Sequence, residues 1–330
     1  MMNAPQSNPS DYSASATEPP AATETLTVPS EYAGLRLDQA LARLLPQHSR
    51  SRLQAWLREG RIGIEGVPSP DAKHKVWGGE TIRVAAAPDP VANSHAAEEI
   101  ALSVLYEDPD LLVIDKPAGL VVHPGSGNWQ GTLLNALLHR APELAEIPRA
   151  GIVHRLDKET SGLLVVARTL AAQTDLVRQL QARSVKREYL ALVHGMVAAA
   201  GSVDAPIARH PTQRTKMAVV AEHGSRGKEA RTHFSVLERF ADATLLECRL
   251  ETGRTHQIRV HMTSIKHPLV GDPVYGRRGR GDSLLSAFPR QALHAWRLTL
   301  LHPRTRDEMS WESTLPKDFA DLLDALRVSA

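Results

Sequence analysis

His154-Arg155-Leu156-Asp157-Lys158-Glu159-Thr160-Ser161-Gly162 runs without a break into Leu163-Leu164-Val165-Val166-Ala167. A Leu/Val run closed by Arg168-Thr169 suits a strand covered on both faces. The charged cluster then sits at the mouth of that strand, where a rigid sheet can hold a reactive group in place. A solvated turn between two elements explains the same residues. The local pattern leaves both readings open.

The totals narrow the field around it. A chain of 330 residues accommodates two domains and a tail. Hydrophobic content of 42% and charged content of 23% are those of a soluble globular protein, and with aromatics at 4% the core must be built from Leu, Val, Ile and Ala. A net charge of +2 decides little about partners, because nucleic-acid binding depends on local clustering. The single cysteine, Cys248, rules out an internal disulfide or a cysteine-rich zinc site and reads as a small sheet residue. No apolar run approaches the length of a membrane span, and the N-terminus lacks the basic-then-apolar pattern of a signal peptide. A cytoplasmic protein, not a membrane one, is expected.

Residues 1–28 are Ser, Thr, Ala, Pro, Asn and Glu with few large apolar side chains, the composition of a disordered leader. Residues 29–86 predict a small module. Leu37, Ala40, Leu41 and Leu44 recur at helical spacing, and Pro46 ends the run. Ser49 or Ser51 can cap a second helix with a Leu53, Trp56, Leu57 stripe, ended by Gly60. Short strands follow at 62–64 and 80–84. The second helix carries Arg50, Arg52, Arg58 and, just beyond it, Arg61 against a single nearby acid, Glu59. Such a run is usually a solvated face. Here its one sign and one residue type suit bidentate phosphate contacts. Residues 87–100 read as a linker, and 101–330 as a second domain.

That domain opens with a hairpin signal, 103–107 and 111–115 around Asp108-Pro109-Asp110. A helix starts after Thr132, and an amphipathic helix covers 170–183. Strands are predicted at 187–194, 216–221, 230–237 and 244–250, and 255–265 begins as a strand or turn and becomes helical. Residues 277–289, with Arg277, Arg278 and Arg280, read as a basic loop, and a last helix spans 316–327. Many strands with few crossover helices make an α+β domain on a largely antiparallel mixed sheet flanked by helices. The Gly125-Ser126-Gly127 loop lacks the lysine of a P-loop and the third glycine of a dinucleotide fingerprint, which argues against a nucleotide cofactor. Glu159 stands two residues from Asp157, but the following Thr-Ser-Gly favours a turn with Glu159 in solvent over a glycosidase-like carboxylate pair.

Four further pieces accompany the focal stretch: Arg187-Glu188-Tyr189-Leu190-Ala191-Leu192-Val193, Gly253-Arg254-Thr255-His256-Gln257-Ile258-Arg259-Val260-His261, His267-Pro268-Leu269-Val270-Gly271-Asp272-Pro273-Val274-Tyr275-Gly276, and Ala292-Leu293-His294-Ala295. In this order the sequence resembles the RluA-type family of pseudouridine synthases, from about residue 30 to 328. Residues 29–86 likewise resemble the alpha-L RNA-binding module of a small-subunit ribosomal protein. The resemblance implies a pseudouridine synthase fold and isomerisation of uridine in large-subunit ribosomal RNA, free or in a pre-ribosomal large subunit. It implies no metal, nucleotide or organic cofactor, and a monomer is expected. Carried over by position, Asp157 is the catalytic aspartate, acting on the ribose C1′ or the C2′ proton. Arg259 is its cationic partner, and Tyr189 packs on the target base and assists proton removal from C5. Arg155 enters the RNA stack as the uridine leaves it, Ile258 lines the base pocket, and Arg254 and His256 face substrate or phosphate, while His154 and His294 are structural or phosphate-facing. Two alternatives stay open: a sibling synthase acting on other ribosomal or transfer RNA uridines, and a non-catalytic ribosome-assembly factor.

Overall fold

The computed structural model describes residues 23–329 except 47, 49, 68–70, 86–93, 126, 214, 221–226 and 277–283. The chain divides into two compact units, within residues 1–92 and 93–330. In the first, β1 (Thr23–Thr27), β2 (Ile62–Ile64) and β3 (Thr81–Ala85) form an antiparallel sheet in the order β1–β3–β2. Helices α1 (Leu37–Leu44) and α2 (Arg50–Arg58) join it. Leu37, Leu41, Leu53 and Trp56 pack with Val28, Ile62, Ile82 and Val84 into one core.

Two expected boundaries move. Residues 23–28, assigned above to a disordered leader, belong to this unit: β1 pairs from Thr23 to Thr27 with β3, and Val28 is buried. An exposed edge strand is held by backbone hydrogen bonds and needs little apolar content, so composition conceals it. The linker likewise ends sooner. The Asn135 side-chain amide donates to the carbonyls of Ser94 and Ala96, and the Glu98 carboxylate accepts from the Gly131 N–H, which ties residues 94–98 to the second unit. Residues 1–22 and 87–93 lie outside the described residues, as does Ser49. Because α2 begins at Arg50, Ser51 falls in its first turn and not at its cap.

The second unit runs β4 (Ser103–Glu107), β5 (Leu111–Lys116), α3 (Leu133–Arg140), β6 (Ser161–Ala167), α4 (Leu170–Gln181), β7 (Lys186–His194), β8 (Gly201–Asp204), β9 (Ile207–Arg209) and β10 (Met217–Val219). It continues through β11 (Arg231–Arg239), β12 (Ala243–Leu250), α5 (Gln257–Ser264), α6 (Leu284–Ala287), β13 (Leu293–Leu301), β14 (Glu308–Glu312) and α7 (Lys317–Val328). A nine-stranded sheet has the order β4–β5–β6–β13–β7–β12–β11–β8, with β14 added to β13. Every pair is antiparallel except β6 with β13. Of the basic loop expected at 277–289, the described part is residues 284–289. Its arginines lie outside the described residues, and its second half holds α6, with Leu285 of α6 and Phe288 just beyond it drawn into a core with Phe319.

The unbroken apolar run of β6 has a direct cause. Leu164 and Val166 pack on the face that carries the α3 leucines, while Leu163 and Val165 pack with Ala172 and Leu176 of α4 on the other. All seven residues of β6 are buried, as expected of a strand covered on both sides. The strand can enter there because of Gly162, at φ +108°. A Cβ at that position would stand 2.2 Å from the Ala295 carbonyl oxygen on β13.

Candidate active site

Asp157 lies within the charged stretch four residues before β6, in a turn closed by the Thr160 N–H on the Asp157 carbonyl. The turn is pinned from beneath. Lys116, fully buried at the end of β5, points its ammonium at the carbonyl oxygens of Pro117, Leu120 and Lys158 at 2.7, 2.9 and 3.0 Å. Burial pulls its pKa down to about 7, and the three acceptors favour the protonated form. Arg290 donates to the Glu159 carbonyl. Lys158 and Glu159 thus contribute backbone acceptors to the turn, and the Lys158 side chain is exposed. His154 fixes the other end: its Nε2 accepts from the Val165 N–H at 3.1 Å, and burial pulls its pKa to about 3, so the ring is a neutral acceptor.

The partner of Asp157 arrives from α5. Arg259 Nη1 donates to Asp157 Oδ2 at 2.9 Å, while Nε and Nη2 grip both oxygens of Asp272 at 2.7 and 2.9 Å. Asp272 also accepts from the N–H groups of Val274 and Tyr275. Burial alone would raise the Asp272 carboxyl; the Arg259 bonds and charge outweigh it and hold the group below its usual range. Burial likewise opposes the Arg259 charge, and Asp272 followed by Asp157 overcomes it, raising its pKa. Arg259 is therefore aimed: two of its nitrogens are committed to Asp272, and a third presents one bond to the carboxylate at the cleft. The Tyr275 ring lies 5.1 Å from its guanidinium carbon.

His256 precedes α5 in a left-handed conformation, φ +57°. Its Nδ1 lies 2.9 Å from the Tyr275 hydroxyl, which itself accepts from the Met217 N–H. Its Nε2 stands 3.9 Å from Asp157 Oδ1. Burial lowers its pKa, with Asp157 pulling in the other direction. A Tyr275 hydroxyl that donates to Nδ1 leaves the Nε2 proton facing the carboxylate.

These groups open on a cleft of about 780 Å³ in the second unit, within the range of small-molecule sites. The sequence-derived residues Asp157, Arg155, Tyr189, Arg254, His256, Ile258 and Arg259 all line it. Tyr189, on β7, is buried, and that burial raises its pKa while Arg187 pulls it back. Ile258 is buried among the core residues of α5, and Arg155 and Arg254 are exposed at the rim. The side chain of Arg254 is held by the Glu229 carbonyl. His294 does not join them: it bonds Ser161 and the Ser313 carbonyl within the sheet.

Sequence reasoning missed Asp272, Tyr275, Lys116 and Arg187. Asp272 and Tyr275 lay in a quoted motif but received no role, since nothing in their spacing shows that the loop after α5 folds back beneath Arg259. Arg187 stands two residues before Tyr189, on the same face of a strand, and that period was the available signal.

The α2 arginines are less uniform than expected. Arg50 bonds the buried carboxylate of Asp38, an acid supplied by α1. Arg61 pairs with Glu59, Arg52 lies over the Trp56 ring, and Arg58 is exposed with one bond to the Gln54 carbonyl. Arg50 is thus partly a structural counter-charge, which corrects the reading of a single acid for four arginines. Among the described residues one group, Asp108, Asp110 and His302, has donor atoms close enough to ligate a metal. It lies outside the cleft, and its carboxylates are already occupied by Tyr106, His302 and Arg304.

The family described as RNA pseudouridylate synthase matches residues 110–264. The ribosomal large subunit pseudouridine synthase D of Nitrosomonas europaea is 60% identical over 320 residues, covering 96% of this chain and 92% of its own. The protein of the same name from Escherichia coli strain K12 is 50% identical over 311 residues, covering 92% and 94%. Among solved structures, human RNA pseudouridylate synthase domain containing 4 aligns with a TM-score of 0.54 and 28% identity, over 68% of this chain and 93% of that one.

Proposed function

The chain belongs to the RNA pseudouridylate synthase family, and from that premise we propose that it isomerises uridine to pseudouridine in large-subunit ribosomal RNA, with Asp157 as the group that acts on the ribose. The observation that carries this reading is the aimed ion pair. A carboxylate at the cleft is held by one Arg259 nitrogen, with the rest of the guanidinium locked on Asp272. The relatives named above are large-subunit enzymes, which supports that RNA as the substrate.

The reaction is balanced without a co-reactant. The N1–C1′ bond breaks, the base turns, a C5–C1′ bond forms, the C5 proton leaves and N1 gains one. Asp157 serves it by adding to C1′ or by taking the C2′ proton, and the Arg259 hydrogen bond holds the carboxylate in position for either role. Tyr189 offers the buried face on which uracil packs. A stacked uridine reaches Asp157 only when flipped out, at a cost of a few kcal/mol. Arg155, exposed at the rim, is placed to stack into the gap. A binder without chemistry would gain nothing from a carboxylate turned toward RNA, since phosphate repels it.

Asp157→Asn keeps shape and removes charge. It is expected to bind large-subunit RNA fragments like wild type while pseudouridine formation falls by at least ~10³-fold. Turnover near wild type would sink this role. Mapping pseudouridines in ribosomal RNA from cells with and without the gene identifies the sites; an unchanged map would contradict the substrate assignment.

A further inference from the structure

Arg187 is only 7% exposed, yet its Nε has no hydrogen-bond partner among the described residues. It sits on β7 and lines the cleft with Tyr189, two positions on and therefore on the same face. Its head lies hard against a glycine: a Cβ on Gly253 would stand 2.5 Å from Nη1. Burial lowers its pKa, the like-charged Arg254 adds to that effect, and the Tyr189 phenol beside it, its own pKa raised by burial, is neutral. No carboxylate among the described residues compensates it. Asp157 is taken by Arg259, and Glu251 is engaged by Arg183, Arg231 and His233.

A guanidinium almost wholly buried, with its Nε unpaired and no carboxylate beside it among the described residues, is costly, and folding alone would favour an apolar side chain of the same size. Such a group makes physical sense when the ligand brings the anion. In the proposed substrate the base and the sugar are neutral, and the only negative groups are phosphodiesters. We propose that Arg187 is the receptor for one phosphodiester, the linkage adjoining the uridine drawn into the cleft. This rests on the uridine reading above and deepens it. The planar fork suits two phosphate oxygens, and Arg254 at the rim adds to the field. The benefit lies in the chemistry: once the glycosidic bond breaks, a held phosphate keeps the ribose C1′ in register with Asp157 while the base turns over Tyr189.

The test couples one side chain to one charge. RNA fragments carrying an uncharged methylphosphonate in place of the phosphodiester on either side of the target uridine are titrated with wild type, Arg187→Met and Arg187→Lys. Wild type is expected to lose about tenfold or more in affinity at one of the two linkages. Arg187→Met should show that loss already on unmodified RNA and none further at that linkage. Arg187→Lys should recover part of the sensitivity. The melting temperature of Arg187→Met should be unchanged or raised, because a purely structural arginine would lower it. Equal sensitivity of wild type and Arg187→Met at both linkages, or a lowered melting temperature without coupling, overturns the proposal. Affinity is read independently of turnover. A wild type that forms no pseudouridine would refute the uridine chemistry, while the linkage coupling still decides Arg187.

Discussion

At the scale of single residues, the site depends on a division of labour among three side chains. Asp272 neutralises Arg259 and orients it, and Arg259 then spends one nitrogen on Asp157. Asp272 is fully buried at its side chain and Arg259 nearly so. Removing one partner of such a pair leaves an uncompensated charge, at a cost of about 3–5 kcal/mol. Asp272→Asn is therefore expected to lower stability by about that amount, read by denaturant unfolding, and to lower turnover although it touches no substrate. A variant as stable and active as wild type would show that Arg259 needs no second anchor. Lysine at 259 cannot reproduce the fork, since a point charge serves one carboxylate well but not two in fixed geometry.

At the scale of elements, the chemistry is placed by how β6 enters the sheet. The turn that holds Asp157 is anchored by Lys116 at the end of β5, by His154 folding back on Val165, and by Arg290. The fit depends on Gly162, whose missing Cβ lets β6 run parallel beside β13 at Ala295. Gly162→Ala puts a methyl inside van der Waals contact of backbone and demands a left-handed φ of alanine. It is expected to destabilise the protein by about 3 kcal/mol or more, measured by thermal or urea melting, and to reduce activity in proportion to the displaced Asp157. A melting temperature within a degree of wild type would mean that the two strands part there at little cost. Strand period also explains β7: Arg187 and Tyr189 face the cleft, while Glu188 between them turns to Arg297.

At the scale of the molecule, two partly buried histidines are expected to make stability depend on pH. His154 is pulled by burial to about 3 and His123 to about 4, from an unfolded value near 6.5. A base depressed on folding binds fewer protons folded than unfolded, so its contribution is intact above pH 6.5 and is lost as pH falls toward those values. Melting temperature should decline steadily on acidification through that window. His154→Gln, which retains an acceptor for the Val165 N–H, should decline less; a parallel curve would remove His154 from the account. The first unit is proposed as an RNA-docking module. Of the four arginines in and just beyond α2, Arg58 is exposed and Arg61 is paired with an exposed acid. Their joint replacement by alanine is expected to weaken RNA binding and to flatten the dependence of log affinity on log salt by up to about 0.7–0.9 per lost phosphate contact. An unchanged slope would place docking elsewhere.

The sequence alone determined what is local or periodic. The continuous Leu/Val run of β6 announced a strand buried on both sides. The Leu53, Trp56, Leu57 stripe announced α2 and Thr132 the cap of α3, and the resemblance singled out Asp157, Tyr189 and Arg259 as candidates, which the fold gathers at one cleft. Tertiary structure decided whatever depends on partners distant in the chain. Edge pairing with β3, with Leu26 as the one β1 side chain packed on the core, gives β1 its place, since strand hydrogen bonds need few apolar residues. Asp38 of α1 makes Arg50 partly a structural counter-charge. Above all, Arg259 and Arg187 look alike as letters. One is paired twice and aimed at a carboxylate, while the other is buried against Gly253 with no anion beside it among the described residues. The difference arises from which loops return to cover them, and burial and charge compensation are properties of that packing and not of any stretch of sequence.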